Sequence, residues 1–153
     1  MNKTNKTIVV NKNAKRNFAL EDNFQAGIVL EGWEVKSLRN GKVDVKDTYV
    51  ILKKNEAWLI GLKIDPPASL KIEVDKTKSR KLLLHKREIF KISDAINKKG
   101  LTCVLTKIYW KNNKIKCDID IGRGKKRFDQ RQDIKKRDWE RKRNRLIKNS
   151  KRR

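Results

Sequence analysis

The last 32 residues, Gly122 to Arg153, set the limit on what this chain can fold into. They hold sixteen Lys or Arg against four acids, a net +12 out of a total of +24. Their large apolar side chains are Phe128, Ile134, Trp139, Leu146 and Ile147, and that spacing makes no stripe for a core to cover. The composition still favours helix. There is no proline and no glycine after Gly124, and Asp133 precedes Arg137, as Asp138 precedes Lys142, at i,i+4. Each such pair is worth roughly 0.3 to 0.5 kcal/mol. Repulsion among the cations opposes the helix, and a row of phosphates would remove it. The expectation is a basic tail that is disordered when free and helical on a polyanion.

A core must therefore come from the rest of the 153 residues. Residues 1–16 are mostly Asn, Lys and Thr around Ile8-Val9-Val10 and read as a loose basic arm, which leaves about 110 residues, one domain of ordinary size. The expected division is an arm over 1–16, a folded domain over 17–122 and a tail over 123–153. A pI near 10.3 implies a polyanionic partner, nucleic acid first, because each neutralised phosphate releases counterions. No apolar run reaches the roughly 20 residues that span a bilayer, and the first residues lack the apolar stretch of a signal peptide, so a cytoplasmic location is expected.

The domain reads as mainly β with short helices. From Asn17, Phe18, Leu20, Phe24, Ile28, Val29 and Leu30 mark a long, imperfectly alternating strand with a possible bulge at Gly27. Gly32 to Arg39 reads as one short helix with Gly41 just beyond its end. Val43 to Lys53 and Ala57 to Ile64 form a hairpin, with Trp58, Ile60 and Leu62 expected on one face. Residues 68–81 read as a mobile loop. Lys81 opens a helix in which Leu82, Ile89, Phe90 and Ile96 fall near one face, closed by Gly100. Leu101 to Lys111 and Lys114 to Ile121 pair around Asn112-Asn113, with Ile115, Cys117, Ile119 and Ile121 on one side. Five or more antiparallel strands with a helix between the third and fourth suggest an OB-type barrel, a frequent binder of irregular or single-stranded nucleic acid.

Catalytic constellations are hard to assemble from this sequence. His85 is the single histidine and has no Ser or Cys partner at a telling spacing. The acid pairs Glu31 with Glu34, Asp44 with Asp47, and Asp118 with Asp120 read as solvated faces rather than Mg²⁺ ligands. Neither a GxxxxGK[ST] loop nor a GxGxxG turn occurs. Cys103 and Cys117 lack CxxC spacing and read as buried free thiols, so no metal or cofactor is expected. Gly122 to Lys126 offers Lys125 and Lys126 to phosphates.

Three stretches in order are specific: Gly32-Trp33-Glu34-Val35-Lys36-Ser37-Leu38-Arg39, then Tyr109-Trp110-Lys111-Asn112-Asn113, then Gly124-Lys125-Lys126 leading to Asp133-Ile134-Lys135-Lys136-Arg137-Asp138-Trp139. Together with Lys81 to Glu88 they make the chain, from about Asn11 onward, resemble the SmpB family, the SsrA-binding proteins of bacterial trans-translation. The resemblance implies an OB-type barrel with three helices that binds the tRNA-like domain of tmRNA, and a tail that enters the empty mRNA channel of a stalled ribosome. It implies no enzymatic activity, and it implies that elongation factor Tu and alanyl-tRNA synthetase act on the same RNA.

By position, the resemblance places Gln25, Leu83 and His85 on the RNA-contacting face and Arg16 at the end facing the decoding centre. Lys36, Arg39, Lys86 and Arg87 lie in the matching motifs and join the expected RNA-binding set with Lys125 and Lys126. Asp133, Lys135, Lys136, Arg137, Trp139, Leu146 and Ile147 are the expected ribosome-binding part of the tail. An acid commonly stands at the position of Gln25 in the family, and a histidine can stand at that of Arg16. Gln25 keeps hydrogen bonding without charge, and Arg16 clamps phosphate without titrating near neutral pH. A second reading is a general single-stranded-RNA-binding or ribosomal structural protein that stacks bases on Trp33, Trp58 or Trp110.

Overall fold

The computed structural model describes residues 6–125 and 127–150, and the side chains of all of these except 127–130, 133, 149 and 150. Nine strands and four helices follow in the order β1 (Thr7–Val10), α1 (Lys12–Asn17), β2 (Phe18–Ile28), α2 (Gly32–Arg39), β3 (Val43–Asp44), β4 (Tyr49–Lys53), β5 (Glu56–Ile60), β6 (Lys63–Ile64), β7 (Arg80–Leu83), α3 (Lys86–Lys99), β8 (Thr102–Lys111), β9 (Lys114–Gly124) and α4 (Arg127–Ser150). Six strands close into an antiparallel ring, β8-β4-β5-β7-β2-β9, because β9 pairs back onto β8. The expected OB-type barrel is present, and three of the four helices precede the tail.

Turn chemistry explains the two tightest connections. Asn112 and Asn113 both take positive φ between β8 and β9, and so do Lys54 and Asn55 between β4 and β5. Two consecutive left-handed residues match the twist of a two-residue hairpin. Inside the ring lie Leu59, Leu82, Leu105, Ile108, Cys117 and Ile119, all essentially without solvent exposure.

Several expectations are corrected. The segment read as a loose arm carries a strand and a helix of the body: β1 pairs with β8, and Asn11 caps α1. Asn11 is buried; its side chain accepts from the Ala14 N–H and donates to the carbonyls of Val45 and Leu105 at 3.0 and 2.8 Å. One polar residue thus ties the segment to two distant parts of the fold. The bulge in β2 falls between Leu20 and Asn23 rather than at Gly27, which pairs regularly with Leu83 and Lys116. The strand expected over Val43 to Lys53 breaks into β3 and β4, where Asp44 accepts from the Lys46 N–H and Thr48 donates back to Val45.

The face expected for the next strand is reversed at its start. Ala57 and Leu59 point into the core while Trp58 and Ile60 are half-buried; Gly61, at φ +85°, then shifts the phase so that Leu62 and Ile64 are buried. Residues 80–83 are strand rather than the opening of a helix. Leu82 bridges β2 and β5 in the ring, a tertiary role that outweighs the local preference of a Leu-rich run. Phe90 does not join the core: it is 69% exposed, while Ile92 and Ala95 supply the buried face of α3. Glu34 is no solvated acid, since it is fully buried against Arg80.

Candidate nucleic-acid interface

The helix α3 begins where the chain leaves β7. His85, extended at φ −70° and ψ 151°, is the residue before the first turn, and its backbone N–H donates to the Glu88 carboxylate at 3.1 Å. That arrangement satisfies one orphan donor and puts the His85 side chain, which is exposed, at the positive end of the helix.

Here β2, β7, β9 and the start of α3 enclose a groove of about 690 Å³, and Gln25, Leu83, His85 and Lys86 all line it. Gly27 contributes no side chain to its floor. A Cβ there would stand 3.3 Å from Leu83 Cδ1 and 3.5 Å from Lys116 Nζ, so the open floor depends on glycine. Leu83 is 55% exposed, an apolar side chain presented to solvent at the end of a strand whose neighbour Leu82 is buried.

Gln25 is held in place from below. Its Nε2 donates to the Tyr109 hydroxyl, its Oε1 accepts from Lys111 Nζ at 3.2 Å, and Tyr109 in turn donates to Asp118 Oδ1 at 2.8 Å. Lys107 lies 3.5 Å from the other Asp118 oxygen and 5.0 Å from the Tyr109 ring centre. Burial pushes the Tyr109 phenol up to about 12; the proximity of Asp118 acts in the same direction and the Gln25 hydrogen bond against it. The phenol therefore stays protonated and donates to Asp118, while its oxygen accepts from Gln25 Nε2 and fixes that amide. Next along β9, burial raises the Asp120 carboxyl above its ordinary value, although Asn23 and Thr106 donate to it. Asp118 and Asp120 are accordingly anchors of the outer face, not the freely solvated pair that the sequence suggested.

Arg39 and Lys36 lie on α2, whose Val35 lines a second groove that shares Gly27, Leu83 and Lys116 with the first. The Arg39 guanidinium stands 5.6 Å from the centre of the Trp110 ring, and Trp110 lines that second groove; Lys36 donates to Ser69 at 3.4 Å. Arg87 is exposed in the first turn of α3, outside the groove lining. Arg16 and Lys125 are elsewhere. Arg16 borders a small groove with Val43 to Lys46, and the Lys125 backbone N–H donates to the Asn17 carbonyl at 2.7 Å. The structure thus divides the expected set: Gln25, Leu83, His85 and Lys86 share the first groove, Arg39 stands over Trp110 of the second, Arg16 and Lys125 lie at α1, and Lys36 and Arg87 line none of these grooves. Lys126 lies outside the described residues, as does the Asp133 side chain.

In the tail, Lys135, Lys136 and Arg137 are exposed on α4 together with Trp139, Leu146 and Ile147. The Arg143 guanidinium sits 5.3 Å from the Trp139 ring centre. Sequence reasoning missed Lys116 as part of the groove and Tyr109 as the buried support behind Gln25, although the polar alternation of β9 and the Tyr109-Trp110-Lys111 motif held the signal. Trp33, Trp58 and Trp110, the stacking platforms of the second reading, are all half-buried.

Among the described residues no group of three His, Cys, Asp or Glu is placed to hold a metal, and no helix is long and apolar enough to cross a membrane. Cys103 and Cys117 are buried free thiols; burial pushes Cys103 up to about 12 and Cys117 higher still.

Residues 8–149 match the sequence model of the SmpB protein family. The chain belongs to the SmpB family. An SsrA-binding protein of Ruthia magnifica is 50% identical over 143 residues, covering 92% of this chain and 87% of that protein. One from Pseudomonas putida is 48% identical over 145 residues, covering 94% and 91%. Among solved structures, a chain described under "tmRNA-SmpB: a journey to the center of the bacterial ribosome" superimposes with a TM-score of 0.66 at 37% identity, covering 78% of this chain and 85% of that one. The SmpB match takes in the barrel and α4 as far as residue 149.

Proposed function

We propose that this protein binds the tRNA-like domain of tmRNA (SsrA RNA) and delivers it to ribosomes stalled on mRNA without a stop codon. The observation that carries this reading is the groove in which Gln25, Leu83, His85 and Lys86 converge on one face of an SmpB-family barrel. Those four side chains divide the work of holding folded RNA. Lys86 faces a phosphate, Gln25 offers a fixed amide to a base or ribose edge, Leu83 packs on a sugar or base, and His85 stacks or donates.

The two ends of the molecule then have different tasks. Arg16 and Lys125, beside α1, face the decoding centre, and α4 enters the mRNA channel left empty by the truncated message. Lys135, Lys136 and Arg137 meet rRNA phosphates there, with Trp139, Leu146 and Ile147 as apolar contacts. The protein works in the cytoplasm by binding and positioning, without a catalytic step of its own. Elongation factor Tu and alanyl-tRNA synthetase act on the same RNA.

The test is to purify the protein from cells under gentle salt and sequence the RNA that accompanies it. One defined transcript of a few hundred nucleotides, retained against excess homopolymer, is the expected result. A heterogeneous pool that homopolymer displaces would sink the reading in favour of general single-strand binding.

A further inference from the structure

A third groove, of about 680 Å³, runs between α3 and β4. Its apolar wall is made by Ile51 of β4 and by Ile89, Phe90 and Ile96 of α3. Phe90 and Ile51 are 69% and 38% exposed, so the wall is open to a partner. Two lysines, Lys54 and Lys86, line it together with the Asn55 amide. An apolar aromatic surface bordered by lysines suits a partner that has both a flat π face and a negative backbone, which is the chemistry of a nucleotide.

The groove is also continuous with the one already described. Asn55, Lys86 and Ile89 line both, so a strand that leaves the Gln25 and His85 groove passes onto the Phe90 wall without losing contact with the protein. We propose that the Phe90 groove takes an unpaired base of the bound RNA, stacked on the Phe90 ring, with its flanking phosphates on Lys54 and Lys86 and its edge facing Asn55. The site reads no sequence, because every base offers a π face. It selects instead for RNA that has an unstacked nucleotide next to the helical part held by the first groove. The proposal rests on the RNA-binding reading above.

The experiment uses the full chain and a transcript of the tRNA-like domain. Phe90→Ala should weaken binding roughly 5- to 100-fold, while Phe90→Trp binds at least as well as the native protein. Phe90→Leu, which keeps apolar bulk without a ring, should lose nearly as much as the alanine variant. Stacking carries no charge, so the slope of log affinity against log salt stays the same for all three, whereas Lys86→Ala lowers it by about 0.7 to 0.9. Base-specific chemical probing should find one unpaired base that the native protein protects and Phe90→Ala leaves reactive.

Native affinity in Phe90→Ala overturns the proposal. So does loss of affinity without a change in base protection, and so does native affinity with loss of ribosome rescue, which would assign the groove to a protein partner. If the native protein itself does not hold the transcript, the functional reading has failed. If it does, and His85→Ala weakens it while Phe90→Ala does not, only the Phe90 site has failed.

Discussion

Arg80 donates its Nε–H to Glu34 Oε2 at 2.5 Å, and both side chains are fully buried. The rest of the guanidinium donates to the carbonyls of Leu62, Lys78 and Lys76, and Glu34 Oε1 accepts from the Glu31 N–H and lies 3.3 Å from Lys78 Nζ. One ion pair therefore ties α2 to β7 and to the long loop before it. Removing one partner strands a buried charge, so Arg80→Met should cost about 3 to 5 kcal/mol in urea unfolding. A double variant, Glu34→Leu with Arg80→Met, should recover part of that loss. Additive losses would show that the two groups do not act as a pair.

The Tyr109 hydroxyl gives a pH signature. Its folded value of about 12 lies above the ordinary value near 10, so its contribution to stability is complete below about pH 10 and is lost as pH rises through 12. Absorbance titration should show a tyrosine ionising near 12, and this transition should vanish in Tyr109→Phe. That variant should lose about 1 kcal/mol and also weaken RNA binding, because Gln25 loses its anchor. Unchanged affinity would mean that the Gln25 amide needs no support.

Gly61 is the backbone position least open to substitution. A Cβ there would lie 2.3 Å from the Asp47 carbonyl oxygen, in a left-handed conformation that L side chains rarely adopt. Gly61→Ala should destabilise by about 2 kcal/mol or more, read as a lowered melting temperature. Native stability would mean that β5 and β6 shift freely.

The groove and the tail should separate on deletion. Removing Arg131 to Arg153 should change affinity for the tRNA-like RNA by less than about tenfold, whereas His85→Ala should weaken it with a melting temperature within a few degrees of native. A several-hundredfold loss on deletion would move the binding site into the tail.

Rescue of stalled ribosomes should depend on the apolar residues of α4. Leu146 and Ile147 are 65% and 48% exposed, so replacing both with Asp should spare the barrel and RNA binding yet abolish rescue. Free in solution, a peptide of the tail should show little helix by circular dichroism, since its cations repel one another and it has no core to dock on. Full rescue by a tail of scrambled order and constant composition would leave charge as its only property.

Local rules made part of this molecule legible. The Asn112-Asn113 turn, α2 with Gly41 beyond it, and the buried Cys117, Ile119 and Ile121 of β9 follow from turn chemistry and two-residue alternation. The misread parts depend on partners far away in sequence. Asn11 takes its contacts from residues 34 and 94 positions on, and Arg80 meets Glu34 across 46. Leu82 is a strand residue because β2 and β5 stand on either side of it, and Phe90 sits outside because Ile92 and Ala95 already fill the inner face. In the site, Leu83 and His85 sit in a telling motif and Gln25 follows by position from the resemblance, but Lys116 joins them, and Tyr109 comes to hold Gln25, only once the ring closes.

That closure also dictates an order in time. Strand β2 is made early and its partner β9 late, with Gln25 opposite Asp118. At ~5 to 20 residues added per second, the roughly 90 residues between them take about 5 to 20 s to emerge. Throughout synthesis β2 waits with its β9 edge bare, and the ring shuts only after Gly124 has left the ribosome.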